Sequence, residues 1–237
     1  SELIYRADFN FIRADTQEIA AEMVRELYKQ EITKTGMEQV QILSAFRERG
    51  EASADHLNES IREEVNPSAS GRAEIISGSR TFRVGDRVIQ TKNNYDIELK
   101  NPKGERVSVG IFNGEIGIIH AVQPEKVIIR FDGRYAEYLA QNLDDLELSY
   151  ATTIHKSMGS EYDTVIIPLL AAQKVMLTRN LLYTAVTRAK RRVILVGQKK
   201  ALFMAIAKSR TGKRNTLLGE RIRLYYQALA NKKADGR

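Results

Sequence analysis

The 237-residue sequence has no cysteine, no tryptophan and only four prolines. Without cysteine there are no disulfides, no cysteine–zinc sites and no thiol catalysis. The three histidines, His56, His120 and His155, lie far apart and show no metal-ligand spacing, so no metal site is expected. No apolar run approaches the roughly 20 residues that span a bilayer, and no signal-peptide pattern opens the sequence. The resulting expectation is a soluble, cytoplasmic protein with no membrane contact. One further absence is local. From Thr164 to Gly219 there are 12 Lys or Arg and no Asp or Glu, which leaves 25 basic and 30 acidic residues elsewhere. A block this one-sided suits a surface that faces polyphosphate, as nucleic acid, nucleotide or both. A basic face that serves solubility alone is the competing reading.

What is present centres on Leu181–Gly197, LLYTAVTRAKRRVILVG. Read as a helix, it puts Leu181, Leu182, Ala185, Val186 and Ala189 on an apolar face. Thr184, Thr187 and Arg188 then share the opposite face. The β-branched run Val193–Val196, closed by Gly197, reads as a buried parallel strand. A helix braced by a strand would present the Arg188 guanidinium rigidly, as a planar fork of donors suited to phosphate. A solvated basic helix end is the alternative.

Upstream, Asp8–Ile12 alternates like a short strand. Asp15 and Glu18 read as a capping box for a helix carrying Ile19, Ala20, Met23, Val24 and Leu27, which Gly36 ends. Val40–Phe46 is a second strand that runs into Arg47, where open α/β sheets place ligands; a solvated loop arginine is the competing reading. Leu57, Ile61 and Val65 mark a helix that stops before Pro67. Ser68–Ser79, rich in Ser and Gly, reads as a boundary. Beyond it, Asp86–Gln90, Ile116–Val122, Lys126–Phe131 and Leu146–Tyr150 alternate with turn signals, as in a small SH3-like or OB-like barrel. Lys92, Asn93, Asn94 and Tyr95 suit contact with a single strand, although turn chemistry alone also explains both asparagines. Thr152–Glu161 combines short hydroxyls, a lysine and Gly159 ahead of the strand Thr164–Leu169, the composition of a phosphate-contacting loop. A last helix, Lys199–Lys208, is expected to pack Leu202, Phe203 and Ile206, and the polar tail from Asn231 to fray.

Thr153–Glu161 (TIHKSMGSE) and Leu182–Lys190 (LYTAVTRAK) resemble motifs V and VI of superfamily-one DNA helicases, closest to the RecD-like 5′→3′ branch and its UvrD-like C-terminal domain. Gln41–Gly50 (QILSAFRERG) resembles motif IV, and His56–Pro67 continues as the family's LN…NP segment. Phe82–Tyr95 and Ile111–Gly117 resemble its inserted SH3-like domain. The resemblance implies an α/β fold, a RecA-like (P-loop NTPase-type) parallel sheet interrupted by a small SH3-like barrel. Residues 1–75 and 149–237 would be the two parts of the motor domain, and 76–148 the barrel. It further implies that Arg188 is an arginine finger on the γ-phosphate of ATP, with Arg47 assisting, and that Glu161 and Gly159 lie near the nucleotide. Thr153, His155, Lys156 and Ser157 would line a single-stranded DNA track, with Asn93 and Asn94 nearby. Met158 stands where the family usually has Gln, and methionine cannot replace an amide's hydrogen bonds.

No GxxxxGK[S/T] phosphate loop occurs, since Gly212–Lys213 is followed by arginine, and no strand ends in an acidic pair for Mg²⁺. The expectation is therefore half a motor. ATP and Mg²⁺ would be bound mainly by an absent N-terminal RecA-like domain, and the chain alone would not hydrolyse ATP. A non-catalytic single-stranded nucleic-acid-binding module that retains the fold is the alternative, and a protein-docking domain a third reading.

Overall fold

The computed structural model describes residues 7–69, 73–208 and 222–227; the tail from Asn231 lies outside them. The chain begins with β1 (Phe9–Arg13), α1 (Gln17–Thr35), β2 (Val40–Ser44) and α2 (Ala54–Val65). A run of strands follows: β3 (Glu74–Ser77), β4 (Arg80–Arg83), β5 (Arg87–Gln90), β6 (Asn94–Lys100) and β7 (Arg106–Ile111). It continues through β8 (Ile116–Val122), β9 (Lys126–Phe131), β10 (Arg134–Leu139) and β11 (Leu146–Leu148). The α/β pattern then returns as β12 (Ala151–Thr153), β13 (Tyr162–Leu169), α3 (Arg179–Val186), β14 (Ala189–Gly197) and α4 (Lys199–Ala207).

The outer segments build one five-stranded sheet in the order β1-β14-β13-β2-β12, and all four pairings are parallel. A strand's side chains alternate between faces, and β14 shows how the sheet uses this. Ile194 and Val196 point into a core with Val24 and Tyr28 of α1 and Leu57 and Ile61 of α2. Val193 and Leu195 point into the opposite core, with Leu181 and Ala185 of α3 and Leu202 and Ala205 of α4. Helices thus cover both faces, which is why these strands read as continuous apolar runs. The middle segment is a seven-stranded sheet in the order β11-β5-β8-β9-β10-β6-β7, with antiparallel pairings, plus the hairpin β3–β4. Its own core gathers Phe82, Leu99, Ile129, Phe131 and Tyr138.

Several expectations need correction. The cap of α1 is Thr16, whose hydroxyl accepts from the Ile19 amide, while Asp15 pairs with Arg13. Ile19 is consequently exposed on the first turn. In α4 the residues turned inward are Ala201, Leu202 and Ala205, whose small side chains let the helix lie close to the sheet; Phe203 and Ile206 face outward. The Ser/Gly-rich boundary contains β3, and β6, β7 and β10 form where only turns were expected. The helix over Leu181 stops at Val186, and β14 begins four residues before Val193 because Ala189 already pairs with Tyr162. Thr184 therefore lies on α3, whereas Thr187 and Arg188 form the link to β14.

Gly197 closes β14 at φ 150°, and a Cβ there would collide with the backbone carbonyl of Leu169 on β13. Neither strand can shift without breaking the central pairing. Gly197→Ala is expected to destabilise the chain by ~2 kcal/mol or more in urea unfolding; an unchanged midpoint would contradict this packing.

Candidate functional site

Arg188 is held where helix and strand meet. Its amide donates to the Ala185 carbonyl at 3.2 Å, and its own carbonyl accepts from the Tyr162 amide at 2.9 Å, so the backbone is fixed from both sides. The half-buried guanidinium donates to the carbonyls of Thr184 (3.3 Å) and Ser160 (3.1 Å) and reaches the Thr187 hydroxyl at 3.5 Å. No carboxylate stands within ion-pair distance of it among the described residues. Neutral acceptors thus orient the charge without cancelling it. Glu161, next to Ser160, is exposed, and Gly159 takes a left-handed conformation (φ 91°) with open space around its Cα.

Arg47 sits elsewhere. Val40 pairs with Thr164 and Ser44 with Thr153, so β2 runs away from the end of the sheet at which β13 and β14 begin. Arg188 precedes β14 and Arg47 follows β2, so the register sets the two at opposite ends of the sheet. Arg47 pairs with Asp55 at 3.4 Å and Glu147 at 3.1 Å, and the Glu147 charge raises its pKa.

The turn between β12 and β13 links the two ends of the sheet. His155 and Lys156 are exposed on it, and the Lys156 amide lies 3.4 Å from the Thr153 hydroxyl. Ser157 is buried in the same turn, and its hydroxyl donates to the Ile154 carbonyl at 2.8 Å, closing the turn. Met158 is exposed, in a position where a thioether needs no hydrogen-bond partner. His155, Lys156, Met158, Gly159 and Ser160 form one wall of a groove of about 580 Å³. Thr91, Asn113, Gly114 and Glu115 of the insert form the other. Asn93 adjoins that wall, since its side-chain oxygen accepts from the Asn113 amide at 2.9 Å and its amide nitrogen donates to Tyr95 Oη at 3.0 Å. Asn94 turns its side-chain oxygen to the Asp96 amide, so both asparagines also do turn work.

Glu147 was not foreseen. Its carboxylate meets Lys156 Nζ at 2.8 Å, Arg47 at 3.1 Å and Arg80 at 3.6 Å. Burial works to raise its pKa, but the Lys156 hydrogen bond and the charges of Lys156, Arg47 and Arg80 hold it below the ordinary carboxylate value of 4.5. The sequence offered only LEL, which looks like an outward-facing strand residue between two leucines.

Comparison with known proteins finds two matching family models and a set of relatives. Residues 148–196 match the UvrD-like helicase C-terminal domain. Residues 57–131 match the SH3 domain of ATP-dependent RecD-like DNA helicases. The chain is homologous to the C-terminal region of RecD helicases. It is 38% identical over 203 residues to the ATP-dependent RecD2 DNA helicase of Deinococcus radiodurans, covering 86% of this chain and 25% of that protein. It is 34% identical over 188 residues to the RecBCD enzyme subunit RecD of Mycolicibacterium smegmatis, covering 79% of this chain and 30% of that one. The chain therefore spans between a quarter and a third of the length of these relatives. Among solved structures, Pif1 helicase from Bacteroides in complex with ADP-AlF3 and ssDNA aligns with a TM-score of 0.45 at 14% identity, covering 91% of this chain and 55% of that one. No helix among the described residues is long and apolar enough to cross a membrane.

A carboxylate whose pKa is lowered on folding contributes stability above its unfolded pKa and loses that contribution as pH falls through the folded value. Glu147→Gln is therefore expected to lower stability by ~1 kcal/mol at pH 7, a small figure because the network is partly solvated. The difference should vanish below the carboxylate range. Urea unfolding at pH 7 and pH 3 checks both halves, and a pH-independent difference would contradict the ion-pair assignment.

Proposed function

We propose that this chain is the C-terminal half of an ATP-dependent DNA helicase acting in the cytoplasm, and that it supplies the arginine finger and part of the single-strand track. Residues 1–75 and 149–237 are on this reading two parts of one RecA-like motor domain, and 76–148 its SH3-like insert. The observation that carries the reading is the setting of Arg188, a braced guanidinium whose charge is left for an external anion. A γ-phosphoryl group brought to this end of the sheet by an N-terminal RecA-like domain meets donors that are already oriented, so little reorganisation opposes charge development there. On this reading Glu161, exposed beside Ser160, meets the nucleotide's ribose, and Gly159 lets the backbone approach closely.

ATP supplies the phosphoryl group and Mg²⁺ neutralises its charge when bound, and the N-terminal domain holds most of both. Among the described residues no group of three His, Cys, Asp or Glu is arranged to hold a metal ion. The chain's own contribution is then the finger, the ribose contact and a wall of the strand path. That path is the groove between the insert and the β12–β13 turn, with Lys156 and His155 on one side and Asn93 and Asn113 on the other. Thr153 acts at one remove, through the turn that carries Lys156, and Asn94 supports the facing wall.

In the full-length protein, Arg188→Ala is expected to lower ATP turnover by roughly 10³ or more while leaving single-stranded DNA binding nearly intact. Unchanged turnover would remove the finger assignment. Lys156→Ala is expected to weaken binding to single strands of any sequence and to reduce the salt slope by about one unit. A loss of sequence preference without a loss of strength would overturn the track. The chain alone is expected to bind single-stranded DNA weakly and salt-sensitively, without ATP hydrolysis.

A further inference from the structure

Lys156 lines the groove between the insert and the β12–β13 turn, while Arg47, Arg80 and Glu147 line a neighbouring groove of about 250 Å³. The Lys156–Glu147 ion pair at 2.8 Å is the bridge between the two. One carboxylate, with 22% of its side chain exposed, thus stands among three cations drawn from three parts of the chain: the loop after β2, the start of β4 and the β12–β13 turn. Arg47 keeps Asp55 and, at 3.9 Å, Glu48 as further acidic neighbours, whereas Glu147 is the carboxylate all three cations share.

Carboxylate and phosphodiester oxygens accept the same charge-assisted hydrogen bonds from ammonium and guanidinium groups. We propose that Glu147 occupies the seat of a backbone phosphate of the bound single strand, and that the strand displaces it to reach Lys156, Arg80 and Arg47. The strand path then extends past Lys156 into the second groove, and Arg80 becomes a contact of the track. The carboxylate sets a threshold. Each binding event must break an internal ion pair before it forms an external one, so weak or transient polyanions gain less than a continuous strand. This rests on the strand-track reading above and adds the seat, its two arginines and its competitor.

The test is equilibrium binding of this chain, as native protein and as variants, to a labelled oligothymidylate and separately to ATP. Glu147→Gln keeps the shape of the side chain and removes its charge. It is expected to bind the oligonucleotide about 3- to 10-fold more tightly at low ionic strength, the gain shrinking as salt screens the site. Adding Arg80→Ala to Glu147→Gln is expected to reverse most of the gain, which a general change in surface charge would not confine to this position. Far-ultraviolet circular dichroism establishes that each variant is folded, and Arg80→Ala alone, at a half-buried residue whose guanidinium also donates to the Leu146 and Asp144 carbonyls, supplies a second reading if Glu147→Gln is not. That variant should bind the oligonucleotide more weakly than the native chain, and equal binding would overturn the proposal. A folded Glu147→Gln with unchanged or weaker oligonucleotide binding, or a gain confined to ATP, would also overturn it. If Lys156→Ala weakens binding while Glu147→Gln does nothing, only the seat falls; if Lys156→Ala also does nothing, the track falls and the seat with it.

Discussion

The placement of the insert against the parallel sheet depends on Asp86, a carboxylate with no exposed surface. Arg62 of α2 pairs with it at 2.8 Å, Asn66 donates at 2.7 Å, the Arg83 amide at 2.8 Å and Tyr150 Oη at 3.0 Å. Burying a charge is tolerable only when its lone pairs are occupied in this way, and removing one partner of such a pair costs ~3–5 kcal/mol. The four donors come from α2, its C-terminal cap, the end of β4 and the segment that leads into β12. Asp86 therefore fixes three pieces of chain at one point. Burial and the neighbouring Asp86 charge both raise the Tyr150 pKa, so its hydroxyl remains a donor at any ordinary pH. Asp86 and its donors thus join the insert, which carries one wall of the groove, to the segment leading into β12 and the turn that carries the other.

The adjacent residue carries the tie further. Arg87 is fully buried, donates to Gln41 Oε1 at 2.6 Å and to the Ser149 carbonyl, and lies 6.0 Å from the centre of the Tyr162 ring. Among the described residues no carboxylate pairs with it. A carbonyl, an amide oxygen and an aromatic face stand in for an anion, each a weaker but neutral substitute. Burial pushes the Tyr28 hydroxyl up to about 12, with Arg87 working against the rise. Tyr162 donates its amide to the Arg188 carbonyl, and Ser149 leads into β12 and so to Lys156. A single side chain from the first strand of the insert's main sheet thus touches the backbone routes to both the braced arginine and the exposed lysine. Any rotation of the insert is felt at both.

The parts legible in the sequence are those governed by local pattern. VILV in β14 reads as a buried strand because both its faces are covered, and Leu57, Ile61 and Val65 repeat at helical spacing along one face of α2. Strands β6, β7 and β10 escaped because their inward residues are few and their outward ones mix charged side chains with apolar ones such as Val107, Val109 and Leu139, which blurs the alternation; Asn94–Lys100 buries only Ile97 and Leu99. The turn-closing bond of Ser157 was hidden because a hydroxyl in a polar run looks available, and only the turn geometry shows it meeting the Ile154 carbonyl. Asp86, Arg87 and Glu147 were illegible for a different reason. Apart from the Arg83 amide, their partners lie 9 to 100 residues away in sequence, so little that is local separates a buried or shared charge from a solvated one.

What distinguishes Arg188 from Arg47 is company rather than position in a motif. Both follow regular elements and both are conspicuous as sequence. Carbonyl oxygens hold Arg188 in place and leave its full charge for whatever approaches, whereas Arg47 already shares the Glu147 carboxylate with two other cations. An internal carboxylate is a competitor that any incoming anion must outbid, and a carbonyl is not. An end of the sheet that keeps its cation uncompensated is suited to a tight, charge-developing contact. The other end, where cations are compensated and partly solvated, is on the proposed reading suited to exchange with a ligand that binds and releases repeatedly. The parallel strands between them, crossed by the β12–β13 turn, give a small chain room for both kinds of contact without letting one neutralise the other.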